Sequence, residues 1–243
     1  MISIDLSYVE GAATFWFAVA AFVVAVGAYF LGCINGAVIV SKYILRDDVR
    51  THGSGNAGLT NFYRTFGGKL TLVVLLCDVV KAVLAVLLGM LAIRILVEPL
   101  AADGFLPFLP KDPTLLRALG KYWAGLFCLL GHMFPCMFRF KGGKGILSGG
   151  TMAIMIDWRV ALVVWGGFLL LAGLTRYVSL GSSSTGITFP IISWIVYRDW
   201  VILTLAVLIG GLILWKHRGN LIRLAKGTES KFSLHHKEEG KKE

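Results

Sequence analysis

The sequence predicts an all-α integral membrane protein with about seven transmembrane helices, an outside N-terminus and a cytoplasmic C-terminus. Hydrophobic residues make up 56% of the 243 residues and the mean hydropathy is +0.75. An ordinary soluble domain is only about 45–50% apolar and about 25% charged, whereas here 16% of the residues are charged. A folded chain of this length cannot hide so much apolar surface from water. A lipid bilayer accommodates this apolar surface more simply than water does.

Seven apolar runs account for the predicted helices, since a spanning helix needs about 20 mainly apolar residues. The candidate spans are Ala12–Val40, Lys69–Ile93, Tyr122–Phe138, Ile146–Ile156, Val160–Leu174, Thr185–Tyr197 and Trp200–Trp215. The fourth and sixth are short for independent spans, so six or eight spans are the alternatives. The runs form one predicted domain over residues 1–232, and residues 233–243 are predicted to be a disordered charged tail.

The distribution of cations sets the predicted orientation. With seven spans and an outside N-terminus, the inside segments hold 17 of the 24 Lys and Arg residues and the outside segments hold six. The positive-inside rule favours this orientation and explains the net charge of +10 without a nucleic-acid partner. Asp5 and Glu10 precede the first cation, Lys42, so the first apolar run is expected to be retained as a helix rather than removed as a signal peptide.

The first polar segment, Gly53–Arg64, follows the first span. Half of its first six residues are glycine, so its backbone can turn tightly and approach a ligand closely. Ser54, Asn56 and Asn61 add hydroxyl and amide groups, and Arg64 adds a charged fork. Backbone N–H groups combined with a cation favour phosphate binding. The alternative is a flexible loop beside the membrane.

The second polar segment consists of Gly131–Pro135 and Phe140–Gly145. Its lysines flank paired glycines just past a span, and the spacing differs from that of a Walker A loop. Exposed amides beside lysine ammonium groups can hold a phosphate or a carbonyl oxygen. The alternative is a positive-inside loop whose lysines extend to the membrane surface. We predict that His132 orients this loop.

The third polar segment, His217–Leu224, ends the last span and is followed by Gly227 and Glu229. If this segment is helical, His217, Asn220 and Arg223 lie along one broad side. The alternative is an interfacial amphipathic helix whose cations contact anionic lipid.

Two smaller polar groups accompany the three segments. Asp78 and Lys81 lie at i and i+3 inside the second span, where charges are costly unless they are paired. We predict that they form an intrahelical pair that braces the loops and takes no direct part in catalysis. Arg176 and Ser179 lie on the same predicted side as the three segments.

Together the three segments resemble the acyl-phosphate:glycerol-3-phosphate acyltransferase family of the bacterial PlsY type. The resemblance rests on G-S-G-N-x-G-x-T-N…R in Gly53–Arg64, G-H-x-F-P…F-K-G-G-K-G in Gly131–Gly145 and H-R-x-N-x-x-R-L…G-x-E in His217–Glu229. It implies a multi-pass enzyme of the bacterial inner membrane whose active site faces the cytoplasm.

The implied reaction is the first step of phospholipid synthesis. A fatty acyl group passes from acyl phosphate to the 1-hydroxyl of glycerol 3-phosphate, giving lysophosphatidic acid and phosphate. No metal and no other cofactor is implied, and the expected partners are the two substrates and membrane lipids.

The resemblance also implies residue roles. The implied catalytic residues are His217, Lys144, Ser54, Arg64 and Asn220. The implied substrate-binding residues are Asn56, Gly55, Asn61, Gly142, Gly143, Gly145, Lys141, Ser179, Arg223 and Glu229. Ala57 stands where many members have proline, which should loosen the first loop. The Arg94–Lys121 connection is long for the family and bears on outer contacts rather than on chemistry.

Physical chemistry is compatible with this resemblance. Acyl phosphate is a mixed anhydride with a good leaving group, so the enzyme's main tasks are to position the substrates and to stabilise charge as phosphate departs. We therefore predict no protein nucleophile and no covalent acyl-enzyme. Either His217 or the substrate's own phosphate takes the hydroxyl proton.

Two other classes of protein fit the same segments. A transporter of a phosphorylated solute would need a water-filled path to the outer side. A membrane scaffold with lipid-binding loops would show no turnover.

Overall fold

The structure is a computed structural model that describes residues 6–231, so the predicted tail at 233–243 lies outside the described residues. Within the described range the chain forms ten α-helices and no strand, which confirms the all-α prediction. The helices are α1 (Leu6–Cys33), α2 (Gly36–Ile39), α3 (Leu59–Phe66), α4 (Leu70–Ala92), α5 (Glu98–Ala102), α6 (Pro113–Met133), α7 (Ile146–Ile156), α8 (Trp158–Thr175), α9 (Val178–Tyr197) and α10 (Trp200–Ala225).

A short break separates α1 from α2. The Asn35 side chain restarts the helix, because its Oδ1 accepts a hydrogen bond from the backbone N–H of Val38 at 3.0 Å, as a helix N-cap does. The helix then continues through a π-helical turn at Val40–Ile44. A second π-helical turn, Ile93–Val97, joins α4 to α5.

Four helical stretches are long and apolar enough to cross a membrane. They are Ser7–Ile44, Leu70–Ala102, Trp158–Thr175 and Trp200–Ala225. Large apolar side chains cover their outer surfaces, and Leu162 and Leu174 of α8 are 65% and 77% exposed. Such surfaces suit contact with lipid rather than water. The chain is therefore a membrane protein, while the total of seven spans stays a prediction.

Some helix boundaries differ from the predicted spans. Helix α6 begins at Pro113, well before the predicted start at Tyr122, and ends before Phe138. Asp112 fixes this start by accepting a hydrogen bond from the Thr114 N–H at 3.0 Å. Hydropathy alone missed the first turns of α6 because they are partly polar. Much of the Arg94–Lys121 connection is consequently helical rather than a long loop.

Small residues allow the helices to pack closely. Helix α1 packs on α4 and α6, α4 packs on α6 and α7, and α9 lies between α8 and α10. A Cβ atom added at Gly32 of α1 would lie 2.1 Å from the carbonyl oxygen of Cys128 in α6. Backbone contact of this kind through small residues is typical of helices packed in membranes.

The connectivity gathers the three polar segments at one end of the bundle, which we call the motif end. This end contains the connections from α2 to α4, from α6 to α7 and from α8 to α9, together with the end of α10. The opposite end contains the connections from α4 to α6, from α7 to α8 and from α9 to α10.

Candidate active site

The motif end contains an open cavity with a volume of about 760 Å³. All three polar segments contribute to its wall. Its polar lining includes Ser54, Asn56, Asn61, Arg64, Lys144, Gly145, Ser179, His217, Asn220, Arg223 and Glu229. Its apolar lining consists of Leu59, Leu75, Ile146, Leu147, Trp165, Phe168 and Val178. The cavity therefore joins a cationic, amide-rich wall to an apolar wall.

Hydrogen bonds from Asn61 stabilise the conformation of the loop in the first segment. Its Nδ2 donates to the carbonyl oxygens of Val49 (3.0 Å) and His52 (3.1 Å). Its Oδ1 accepts from the Ser54 N–H at 3.0 Å. Because both amide donors of Asn61 already bind the loop backbone, its main role in this structure is to position Ser54 and not to reach a ligand.

Arg50, three residues before the first segment, links this part of the chain to the loop that contains the second segment. It forms a two-point ion pair with Asp48, with N···O distances of 2.9 and 2.7 Å. Its Nη1 also donates to the carbonyl oxygens of Phe138 (3.0 Å) and Lys141 (3.3 Å). This link could not be predicted from the sequence, because nothing in the sequence relates positions so far apart.

The glycines of the second segment lie directly against His132. A Cβ atom at Gly142 would be 2.0 Å from the His132 carbonyl oxygen, and one at Gly143 would be 2.2 Å from the ring Nε2 and 2.7 Å from the Ala57 carbonyl oxygen. The Gly143 N–H also donates to the His132 carbonyl oxygen at 3.1 Å. The contacts agree with the prediction that His132 orients this loop.

A chain of polar contacts joins the second segment to the third. Lys144 Nζ donates to Asn220 Oδ1, and Asn220 Nδ2 donates to Glu229 Oε1 at 2.7 Å. Arg223 Nε binds the other Glu229 oxygen, also at 2.7 Å. Glu229, which the family resemblance implies to bind substrate, thereby fixes Asn220 and Arg223. Burial opposes ionisation of Glu229, yet hydrogen bonds from Asn220 and Arg223 lower its pKa.

Burial controls the charge of Lys144. Burial lowers the pKa of the Lys144 ammonium to about 8, with nearby Glu229 opposing the shift and the cations Arg223 and Arg64 adding to it. Arg64 itself has no ion-pair partner within residues 6–231. The cavity thus holds more positive than negative charge, as an anion-binding site requires.

His217 presents one ring nitrogen to the cavity. Its Nδ1 lies 2.8 Å from the carbonyl oxygen of Ile213, one turn earlier in α10. A carbonyl only accepts hydrogen bonds, so Nδ1 carries a proton. In the neutral ring, Nε2 then has a free lone pair and can accept a proton or a hydrogen bond.

A buried cluster lies beneath the cavity. Lys81 Nζ is 2.7 Å from Asp78 Oδ1 and 2.7 Å from His132 Nδ1, and it also donates to the Ile34 carbonyl oxygen at 2.9 Å. Asp78, Lys81 and His132 are each 2% exposed. The Asp78–Lys81 pair is as predicted. Asp78 and His132 also line the cavity, which the sequence did not predict.

Four residues implied by the family resemblance stand outside the cavity wall: Gly55, Lys141, Gly142 and Gly143. The two paired glycines act through their contact with His132 and the first loop. Conversely, Ser182, Thr228 and Ser230 line the cavity without having been singled out. Single hydroxyl residues carry no sequence signal, and only the fold brings them here. Residues 6–231 contain no group of three or more His, Cys, Asp or Glu placed to hold a metal ion.

A family profile and similar known proteins point to the same family. A family profile described as "Glycerol-3-phosphate acyltransferase" matches residues 22–227. The glycerol-3-phosphate acyltransferase of Thermoanaerobacter pseudethanolicus is 34% identical over 207 residues, covering 85% of this chain and 93% of that protein. The enzyme of the same name from Photobacterium profundum is 35% identical over 207 residues, covering 85% and 90% respectively.

Solved structures agree with these relatives. The crystal structure of PlsY (YgiH), an integral membrane glycerol 3-phosphate acyltransferase, in its glycerol 3-phosphate form superposes with a TM-score of 0.70 at 30% identity. The match covers 88% of this chain and 96% of that one. The lysophosphatidic acid form gives a TM-score of 0.67 at 29% identity, with coverages of 88% and 95%.

Proposed function

The chain belongs to the glycerol-3-phosphate acyltransferase family, and on that premise we propose that it transfers a fatty acyl group from an acyl phosphate to the 1-hydroxyl of glycerol 3-phosphate. The products are lysophosphatidic acid and inorganic phosphate. One observation carries the proposal, namely that all three polar segments line one cavity whose remaining wall is apolar. A phosphorylated, water-soluble acceptor suits the first wall, and a lipid-borne donor suits the second.

The cations of the cavity bind the phosphate groups of the two substrates. Lys144, Arg64 and Arg223 line the same space, and guanidinium and ammonium groups make the strongest hydrogen bonds to phosphate oxygens. Ser54 and Asn56 add neutral donors from the first loop. Glu229 holds Asn220 and Arg223 in place and does not itself contact phosphate.

The apolar wall receives the acyl chain of the donor. Leu75, Leu147, Trp165 and Phe168 come from α4, α7 and α8 and line the cavity beside the polar segments. A chain held there places the acyl carbonyl next to Lys144. Such positioning supplies much of the rate enhancement when two substrates must meet in a defined geometry.

The reaction proceeds by direct transfer. The 1-hydroxyl oxygen of glycerol 3-phosphate attacks the acyl carbonyl carbon and forms the new ester bond, while the bond between this carbon and the phosphate oxygen breaks. His217 Nε2, which has a lone pair in the neutral ring, takes the hydroxyl proton. The cations stabilise the negative charge on the departing phosphate.

The membrane arrangement belongs to the same proposal. Helices α1–α2, α4, α6, α7, α8, α9 and α10 make seven spans within a single domain of residues 1–232. The motif end faces the cytoplasm of a bacterial cell, because most of the Lys and Arg residues lie in the segments of that end. The donor then arrives from the inner leaflet and the acceptor from the cytosol.

Release of phosphate from palmitoyl phosphate by the purified protein tests the proposal. We expect release to depend on glycerol 3-phosphate and to appear with equal amounts of lysophosphatidic acid. The Lys144→Ala variant should lose most of this activity. Palmitoyl-CoA, offered in parallel, should not serve as donor.

Two results would overturn the proposal. One is phosphate release that is absent or unaffected by glycerol 3-phosphate and by Lys144→Ala. The other is saturable flux of glycerol 3-phosphate into liposomes without acyl transfer, which would support a transporter instead.

A further inference from the structure

His132 lies between a buried ion pair and the glycine loop of the second segment. It belongs to α6, which does not contribute any of the cations that line the cavity. One side of its ring faces Lys81 and the other faces Gly143. The hydrogen bond from the loop to His132 is made to its carbonyl oxygen, so it does not involve the ring nitrogen Nε2.

The neighbours of His132 determine which ring nitrogen carries the proton. Lys81 Nζ lies 2.7 Å from Nδ1 and is paired with the Asp78 carboxylate at 2.7 Å. An ammonium group can only donate hydrogen bonds, so Nδ1 must accept and therefore has no proton. A doubly protonated ring would place an N–H against the ammonium group. Asp78 Oδ1 lies 3.6 Å from the same Nδ1, which is too far for a hydrogen bond. The ring is consequently neutral, with its proton on Nε2.

The protonated Nε2 lies beside the glycine loop of the second segment, whose glycines the family resemblance implies to bind substrate. It lies so close to Gly143 that a Cβ atom there would be 2.2 Å away. His132 lines the same cavity as Lys144, Ser54 and Asn56. Within residues 6–231, the hydrogen bond and the charged contact of the His132 ring are both made by Nδ1. A hydrogen-bond donor at the cavity wall is thus left available for a ligand.

We propose that His132 is a further catalytic residue, whose Nε2–H donates a hydrogen bond to the carbonyl oxygen of the acyl phosphate. The inference rests on the proposed function. As the glycerol hydroxyl attacks, negative charge develops on that oxygen, and a preorganised donor stabilises the transition state more than the ground state. Lys81 is a positioning residue that keeps the proton on Nε2, and Asp78 acts through Lys81 by pairing with its ammonium group.

The two histidines of the cavity then have opposite roles. The Ile213 carbonyl holds the proton of His217 on Nδ1, which leaves Nε2 free to accept. Lys81 excludes a proton from Nδ1 of His132, which leaves Nε2 able to donate. One histidine takes the hydroxyl proton and the other stabilises the carbonyl oxygen, as paired acid and base functions require opposite protonation states.

Two substitutions at one position separate this role from a purely structural one. The Asn side chain in His132→Asn can place an amide oxygen near the position of Nδ1, which preserves the acceptor for Lys81 but removes the donor at Nε2. The Gln side chain in His132→Gln reaches the position of Nε2 with an amide N–H, which restores a donor. His52→Asn is the matched control, because His52 pairs with Asp47 at the exposed surface and its ring lies outside the cavity.

Steady-state kinetics with palmitoyl phosphate and glycerol 3-phosphate give the readout. We expect kcat of His132→Asn to fall by about 10²–10³-fold, the usual effect of removing one such donor. The KM for glycerol 3-phosphate and the melting temperature should stay near those of the unaltered protein. His132→Gln should recover part of kcat, and His52→Asn should match the unaltered protein.

The inference fails if His132→Asn keeps full kcat. It also fails if KM rises and the melting temperature falls in step with the loss of kcat. Either result would mean that His132 only supports the loop structurally. The proposed function is judged separately by the unaltered protein. If the latter turns over and His132→Asn is equally active, only the role of His132 is lost. If the unaltered protein does not turn over palmitoyl phosphate, the proposed function is lost first.

Discussion

The cations at the two ends of the helix bundle have different partners. At the opposite end, Arg117 binds Glu98 at 2.8 Å and Arg159 binds Asp157 at 2.8 Å. Lys121 at the same end donates to the last carbonyl groups of α7, at 2.8 and 3.2 Å. These cations have protein partners and stabilise helix ends.

At the motif end, Arg223 is paired with Glu229, but two other cations of the cavity have no carboxylate partner in the described part of the chain. Arg64 has no ion-pair partner among residues 6–231, and the contact of Lys144 is to the neutral amide of Asn220. Glu229, with Asp78, supplies the carboxylates of the cavity wall. The contrast teaches that positive charge without a carboxylate partner in the cavity serves binding, whereas neutralised charge at the opposite end serves the fold.

Among the changes that bear on this comparison, the largest effect is expected from Gly143→Ala. A methyl group there would collide with His132 Nε2 and the Ala57 carbonyl oxygen, so the loop must move. A displacement of about 1 Å in a reacting geometry costs about 100-fold in rate, and kcat/KM for palmitoyl phosphate measures it. Gly166→Ala is the control, since an added Cβ meets nothing within 4 Å there. An active Gly143→Ala enzyme would contradict the close packing of this loop.

The second prediction compares the two ends directly. Lys144→Ala should lower kcat/KM by about 10- to 100-fold, because a charge-assisted hydrogen bond is worth about 1.5–3 kcal/mol. Arg159→Ala at the opposite end should leave kcat/KM unchanged. Equal losses in the two variants would mean that the difference between the ends has no functional meaning.

The third prediction concerns pH. The pKa of Lys144 is lowered to about 8 in the free protein, so its positive charge is present below this pH and is lost as the pH rises through it. The value of kcat/KM for the donor should therefore fall by about tenfold per pH unit well above pH 8. In Lys144→Arg the guanidinium stays charged, and this alkaline decline should vanish. A decline that persists in Lys144→Arg would assign it to another group.

The fourth prediction is an intermediate effect on the first loop. Asn61→Ala removes three hydrogen bonds to the loop backbone without removing a cation from the cavity. The loop should lose its order, and the KM for glycerol 3-phosphate should rise by about tenfold, as expected for one net hydrogen bond of about 1 kcal/mol or somewhat more. An unchanged KM with a lowered melting temperature would make Asn61 structural only.

The smallest effect is expected from Glu98→Gln. This change breaks the exposed ion pair with Arg117 at the opposite end. Surface ion pairs contribute little to stability, so both KM values should be unchanged and the melting temperature should fall only slightly. A clear loss of activity would show that the opposite end communicates with the cavity.

Much of the fold could be predicted from hydropathy and charge, and the errors have physical causes. Leucine-rich α4 and α8 follow the membrane pattern over their whole length, so their predicted and observed ranges agree closely. The first turns of α6 escaped prediction because Arg117 and Lys121 reduce the local hydropathy. These cations are tolerated because Glu98 and the end of α7 neutralise them, and only tertiary structure supplies such partners.

The candidate site was predictable where its residues lie in recognisable segments. Ser54, Lys144 and His217 were found because glycines and other polar residues surround them in the sequence. Arg50 was missed because its function depends on carbonyl groups of the second segment. The donor role proposed for His132 also could not be predicted, since the position of its proton depends on Lys81 in a different helix.

Because the cavity has both a polar and an apolar wall, its two substrates arrive from different phases, and the measured rate depends on the concentration of each in its own phase. The acceptor reaches the cavity by diffusion in three dimensions, and the donor reaches it by diffusion in two. Saturation by the donor should therefore follow its mole fraction in the surrounding lipid or detergent, not its concentration in the total volume. Adding inert detergent at a fixed amount of donor should slow the reaction, whereas diluting the whole mixture with buffer should affect only saturation by the acceptor.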